Sequence, residues 1–106
     1  MTIEFLYFKE CPNYAPAMDR LRAVLRQEGL SADVAEIEVK DAGAAKELQC
    51  IGSPTIRVNG LDIDADSRTV TETAFACRRY PGGLPPEEMI RAALREARGK
   101  DGRTSA

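Results

Sequence analysis

Phe8-Lys9-Glu10-Cys11-Pro12-Asn13-Tyr14 is the stretch on which the fold turns, because the hydrophobic period of the chain changes across it. Upstream, Ile3, Phe5 and Tyr7 alternate with Glu4, Leu6 and Phe8. A β-branched and aromatic run of this kind predicts a mostly buried strand over residues 2–8. Downstream, Tyr14, Met18, Leu21 and Leu25 recur at helical spacing, with Ala17 and Val24 widening the stripe. This predicts a helix opened by Pro12 and running to about Glu28. Proline suits a first helical position, since its missing N–H would be unpaired there and its φ is already helical. Pro16 falls in the early turns, where a missing donor costs little, and Gly29 is a ready left-handed cap. The sulfur of Cys11 is therefore expected at the positive end of a helix dipole, where free N–H groups stabilise a thiolate. Lys9 adds a positive charge nearby.

The next segment, Asp33 to Val39, puts Ala35, Ile37 and Val39 on one face and predicts a second strand at a sheet edge. Asp41 has the chemistry of an N-cap for a short helix from Ala42 to about Leu48. Strand, helix, strand in this order implies a right-handed crossover and a parallel pair. Ile56-Arg57-Val58 and Leu61-Asp62-Ile63 then flank Asn59-Gly60, a strong hairpin signal. A two-residue loop sets Val58 against Leu61, Arg57 against Asp62 and Ile56 against Ile63, with the apolar residues on one face and the charges paired on the other. Hairpin alternation also directs Asp62 and Asp64 to solvent. The Asp62-Asp64-Asp66 series lacks the glycine and terminal glutamate of a calcium loop.

Residues 65–84 carry little pattern. Asp66 to Thr69 is turn-like, Val70 to Phe75 alternates weakly, and Pro81-Gly82-Gly83 breaks the chain. Pro85-Pro86-Glu87-Glu88 opens a last helix with proline and acids at its positive end, and Met89, Ile90, Ala93, Leu94 and Ala97 form its stripe. Gly99 is expected to end it, which makes residues 1–98 one domain and residues 99–106 a frayed polar tail.

The 106 residues are 43% hydrophobic and 30% charged with a net charge of −2, the composition of an ordinary soluble domain. No basic cluster invites nucleic acid, no apolar run approaches the ~20 residues of a membrane span, and no charged-then-apolar leader starts the chain. Three cysteines do not make a secreted disulfide scaffold, so a cytoplasmic location is expected. With no histidine, Cys-His pairs, Ser-His-Asp triads and histidine-bearing zinc sites are absent.

The order β-α-β-α-β-β-α, with Cys11-Pro12-Asn13-Tyr14 at the first strand-helix junction and Gly52-Ser53-Pro54-Thr55 before a hairpin, resembles the thioredoxin/glutaredoxin superfamily. In more detail the Phe-x-x-Cys-Pro-Asn opening, the run from Gly52 to Gly60 and Cys77-Arg78-Arg79-Tyr80 are similar to a small bacterial thioredoxin-like group, some of whose members carry selenocysteine at the Cys11 position. The resemblance covers residues 2 to about 97, with 65–84 as an inserted segment. It implies an α/β fold with a four-stranded mixed sheet and helices on both faces. It also implies a cis Ser53–Pro54 bond in a loop whose backbone pairs with substrate chains, so that Pro12, Tyr14, Ser53, Pro54 and Thr55 would line the substrate site. Two departures stand out: Tyr14 occupies the place of the second thioredoxin cysteine, and Asp64-Ala65-Asp66 stands where glutaredoxins grip glutathione. A dithiol thioredoxin is not expected, and no cofactor is.

On this basis Cys11 is the expected nucleophile toward a protein or small-molecule disulfide or a peroxide, with a thiol reductant closing the cycle. Cys77, or in its place Cys50, would resolve the intermediate, and Arg78 and Arg79 would favour a thiolate or an anion beside Cys77. Each sulfur also has a packing reading, as buried free cysteine behaves as a small apolar residue. Tyr14 and Tyr80 have equally plain roles, as a helix-stripe residue and a loop anchor. Two further functions stay open: a soft-metal protein holding mercury or copper with Cys11 and Cys77, Cys50 or both, and a redox-inactive adaptor.

Overall fold

The structure is a computed structural model that describes residues 1–76, 78 and 80–102, the side chains of 100–102 excepted. Its elements are β1 (Ile3–Tyr7), α1 (Tyr14–Gln27), β2 (Val34–Glu38), α2 (Ala42–Leu48), β3 (Thr55–Val58), β4 (Leu61–Asp62), a 3-10 turn at Ala65–Ser67 and α3 (Glu87–Gly102). The sheet has four strands in the order β2-β1-β3-β4. β1 runs parallel to β2 and antiparallel to β3, so the sheet is mixed, and the anticipated edge position of β2 is observed.

Alternation along β1 divides the interior into two. Ile3 and Phe5, with Ile56 and Val58 of β3 and Ile63, face a core completed by Ala17, Met18, Leu21, Val24 and Leu25 of α1 and Ile90, Ala93, Leu94 and Ala97 of α3. Leu6 and Phe8 point the other way, into a smaller cluster with Val39, Ala45 of α2, Cys11 and Cys50. α1 and α3 thus cover one face of the sheet and α2 the other.

The turn chemistry is mostly as anticipated. Gly29, at φ +65°, lets α1 close with Gly29 N–H on the Arg26 carbonyl and Leu30 N–H on the Leu25 carbonyl, the paired bonds of a Schellman cap. Asp41 accepts from Ala44 N–H at 2.7 Å and caps α2. At the other end of α2 the same pair of bonds, Gln49 to Lys46 and Cys50 to Ala45, is made with Gln49 rather than glycine in the left-handed region. The hairpin register is Val58 opposite Leu61 and Arg57 opposite Asp62.

Four expectations are corrected. α1 starts at Tyr14, not Pro12, because Tyr14 N–H bonds to the Cys11 carbonyl in a tight turn and the first four-residue bond is Ala17 to Asn13. α3 continues through Gly99 to Gly102, a glycine inside a helix costing only about 1 kcal/mol. The tail predicted from residue 99 is therefore helical to 102, and its last part, 103–106, lies outside the described residues. Asp62 is buried instead of facing solvent, and its carboxylate is held by Arg78, while the Arg57 guanidinium donates to the Gln49 carbonyl. Leu61 stays 38% exposed because β4 is the other edge.

Candidate active site at Cys11 and the Ser53-Pro54 loop

Antiparallel pairing of β1 with β3 brings the end of one to the start of the other, with Leu6 opposite Thr55. The two motifs singled out in the sequence therefore meet beyond these strand ends. Phe8 N–H donates to Ser53 Oγ at 3.1 Å, and the Cys11 thiol Sγ lies 3.8 Å from the Ser53 carbonyl oxygen, directed at it as a donor. Cys11 N–H returns to the Phe8 carbonyl at 3.1 Å, so the sulfur is held by a turn of its own. The Ser53–Pro54 peptide bond is cis.

The surroundings of Cys11 are apolar and close. The residue is 8% exposed, in the cluster of Leu6, Phe8, Val39, Ala45 and Cys50. It lies ahead of α1 by the turn that precedes Tyr14, farther from the helix N-terminus than the sequence led us to expect. Lys9 and Pro12 are exposed on either side of it. Ser53, Pro54 and Thr55 are all buried, and the Thr55 hydroxyl donates to the Gly52 carbonyl. The Cys50 thiol also points at that carbonyl, at 3.4 Å, which fits the packing role for Cys50. Cys11 and Cys50 are both free thiols.

Tyr14 stands at the first turn of α1 with its ring against Tyr7 and Phe5, at centroid distances of 4.5 and 5.7 Å. Its hydroxyl donates to Glu36, and that hydrogen bond to a carboxylate, with some desolvation, raises its pKa. Tyr14 is thus both a stripe residue and a neighbour of the Cys11 cluster.

The segment before α3 supplies what the sequence did not reveal. Arg78 is 8% exposed and forks onto Asp62, at 2.7 and 2.9 Å, with Asp64 at 3.9 Å. Burial works against the Arg78 charge, but the Asp62 hydrogen bond and the neighbouring negative groups outweigh it and raise its pKa. The Arg78 charge is therefore committed to a buried ion pair with Asp62. Its guanidinium lies 4.5 Å from the centre of the Tyr80 ring, and the buried Tyr80 hydroxyl donates to the Pro54 carbonyl at 2.8 Å. Burial raises the Tyr80 pKa, keeping the phenol a donor. The Phe75 ring, 43% exposed, packs on Phe8 at 4.3 Å. Cys77 and Arg79, named above as resolving thiol and neighbouring charge, lie outside the described residues.

Gly52, Asp62 and Phe75 were missed as site residues. Gly52 carried a signal, its place before Ser53-Pro54, but Asp62 was read as one of a solvent-facing series and Phe75 as a weak strand residue. A cavity of about 400 Å³, lined in part by Glu4, Arg57, Asp62, Arg68 and Thr73, opens beyond Asp62; Cys11 and Pro54 do not line it. Among the described residues no three His, Cys, Asp or Glu side chains gather to hold a metal, and no helix is long and apolar enough to cross a membrane. No family model matches the chain, and no curated protein matches it.

Proposed function

We propose that the chain is a thioredoxin-like thiol redox protein of the cytoplasm, with Cys11 as nucleophile in thiol–disulfide exchange or peroxide reduction. The element order β-α-β-α-β-β-α and the mixed four-stranded sheet support that architecture. The observation that carries the function is the approach of the Cys11 sulfur, 3.8 Å, to the carbonyl of Ser53 at a cis Ser53–Pro54 bond. Two motifs far apart in sequence converge there on one sulfur.

In the exchange, the Cys11 thiolate attacks one sulfur of a disulfide. A new bond from Cys11 forms as the old sulfur–sulfur bond breaks, and the departing thiolate takes a proton from water. A resolving thiol, Cys77 or Cys50, then attacks the Cys11 sulfur, forms an intramolecular disulfide and releases the second substrate thiolate, which takes a proton from water; two equivalents of an external thiol reduce that disulfide and are themselves joined as a disulfide. Without a resolving cysteine, one external thiol attacks the Cys11 sulfur and releases the second substrate thiolate, and a second external thiol frees Cys11, leaving the external disulfide. On this reading Pro12, Tyr14, Ser53, Pro54 and Thr55 would form the substrate site, Pro12 from the surface and Ser53, Pro54 and Thr55 from buried positions. Replacement of Cys11 by serine, Cys11→Ser, is expected to abolish turnover of a small aromatic disulfide or of hydrogen peroxide in the presence of excess thiol. Unchanged turnover would refute the assignment.

A second reading, the redox-inactive adaptor, is favoured by two observations: Cys11 is 8% exposed, and the backbone of Ser53 is already bonded on both sides. It predicts no turnover in the unsubstituted protein.

A further inference from the structure

Strand register sets three charges in one row across the sheet. Glu4 on β1 lies opposite Arg57 on β3, and Arg57 lies opposite Asp62 on β4. Directly opposed residues share a face, with Cβ atoms about 4.5–5.5 Å apart, and opposite charges so placed stabilise a sheet when they pair. Here they do not pair with one another. Asp62 is held by the Arg78 guanidinium, and Arg57 turns aside to donate from Nη2 to the Gln49 carbonyl. The Glu4 carboxylate has no hydrogen bond or ion pair among the described residues.

The cavity of about 400 Å³ opens over this row. Ile3, Phe5, Ile56 and Val58 face α1 and α3, so the row and its cavity lie on the opposite face of the sheet. Its volume lies in the range of pockets that hold small molecules. The other charges on its wall are already neutralised. Arg68 donates from Nε to the Asp62 carbonyl and from both terminal nitrogens to Glu96. One positive and one negative group remain: Arg57, with Nε and Nη1 still to donate, and the acceptor-only carboxylate of Glu4. The hydroxyls of Thr71 and Thr73 also line the space and make no hydrogen bond among the described residues.

This pair of charges selects the ligand. A simple anion would gain Arg57 but meet the like charge of Glu4, and a simple cation would meet the reverse conflict. A molecule that carries both charges close together satisfies both groups. The guanidinium fork suits a carboxylate, and the Glu4 oxygens suit an ammonium. We propose that the cavity binds a free α-amino acid, its carboxylate on Arg57, its ammonium on Glu4 and a polar side chain toward Thr71 and Thr73. Cys11 and Pro54 do not line the cavity, so the site is separate from the one proposed for thiol chemistry.

The test is calorimetry of the full chain with L-glutamine, with butyrate and butylamine as probes that carry one charge each. The backbone amide resonances of Glu4, Arg57 and Thr73 report the place of binding. L-glutamine is expected to bind saturably, with a Kd of about 1 mM or tighter, and to shift all three resonances. Butyrate and butylamine are each expected to bind at least about tenfold more weakly. Glu4→Gln and Arg57→Gln are each expected to weaken L-glutamine by at least about tenfold, while Glu4→Gln binds butyrate more tightly than the unsubstituted chain does. No binding of L-glutamine, a one-charge probe that binds as tightly, or an affinity unchanged by Glu4→Gln would each overturn the proposal. Arg57→Gln also removes the bond to Gln49, so Glu4→Gln decides the matter if Arg57→Gln fails to fold. None of these readouts involves a thiol, so the result stands or falls separately from turnover by Cys11.

Discussion

The Ser53 carbonyl receives two donors, the Arg78 N–H and the Cys11 thiol, so one atom joins the Cys11 sulfur to the segment that carries Arg78. Gly52 controls that junction. It sits at φ +133°, and its missing side chain is what Arg78 packs against. Gly52→Ala is expected to destabilise the protein by roughly 1–3 kcal/mol through backbone strain and the clash with Arg78. Exchange of the Ser53 amide, bonded to Ala76, should become faster at the same time. Urea denaturation and hydrogen exchange check both, and an alanine variant equal to the parent in both would show that the close approach is unimportant. None of this was visible in Gly52-Ser53-Pro54-Thr55 alone, since what excludes a side chain at Gly52 is a residue far along the chain.

The elements were legible where each carried a period of its own. α2 and its Asp41 cap, the Asn59-Gly60 hairpin and the stripe of α1 needed only spacing and turn chemistry. Segment 65–84 was not legible, because its described residues hold little regular structure beyond the turn at Ala65–Ser67. Its described residues are held instead by contacts to Phe8, Cys50, Ser53, Pro54 and Asp62, distant in sequence, which no local pattern encodes. The seam between α1 and α3 was hidden for a similar reason. Glu28, at the end of α1, receives Arg95 at 2.8 Å, Arg98 at 3.1 Å and Arg91 at 3.5 Å from α3. The hydrogen bond from Arg95, opposed by desolvation and helped by the charges of Arg95, Arg98 and Arg91, lowers the Glu28 pKa. A carboxylate whose folded pKa is depressed contributes stability above its unfolded value, near 4.3, and loses it as pH falls through the folded value. Glu28→Gln is therefore expected to lower the melting temperature at about pH 7, with the difference closing toward about pH 2. A difference that persists unchanged in acid would contradict the ionic account of this seam.

At the scale of the whole molecule, the sheet order places the end of β1 beside the start of β3, and this alone brings Cys11 to Ser53-Pro54. That half of the site could be read from the sequence, because both motifs sit at the boundaries of well-patterned strands. The other half, Asp62 with Arg78 and Phe8 with Phe75, depends on how an unpatterned segment returns to the same end of the sheet. The central claim, that Cys11 is the reactive sulfur, is tested most directly by one equivalent of hydrogen peroxide followed by intact mass and peptide mapping. The three cysteines fall in separate tryptic peptides, so each can be followed on its own. Peroxide oxidises a thiolate to a sulfenic acid, adding one oxygen, and a second thiol then condenses with it, releasing water and leaving a disulfide short of two hydrogens. The account predicts that the peptide containing Cys11 carries the oxygen or the new disulfide while Cys50 is not oxidised ahead of it. Oxidation of Cys50 with Cys11 left as the free thiol, or no oxidation of Cys11 at all, would contradict it.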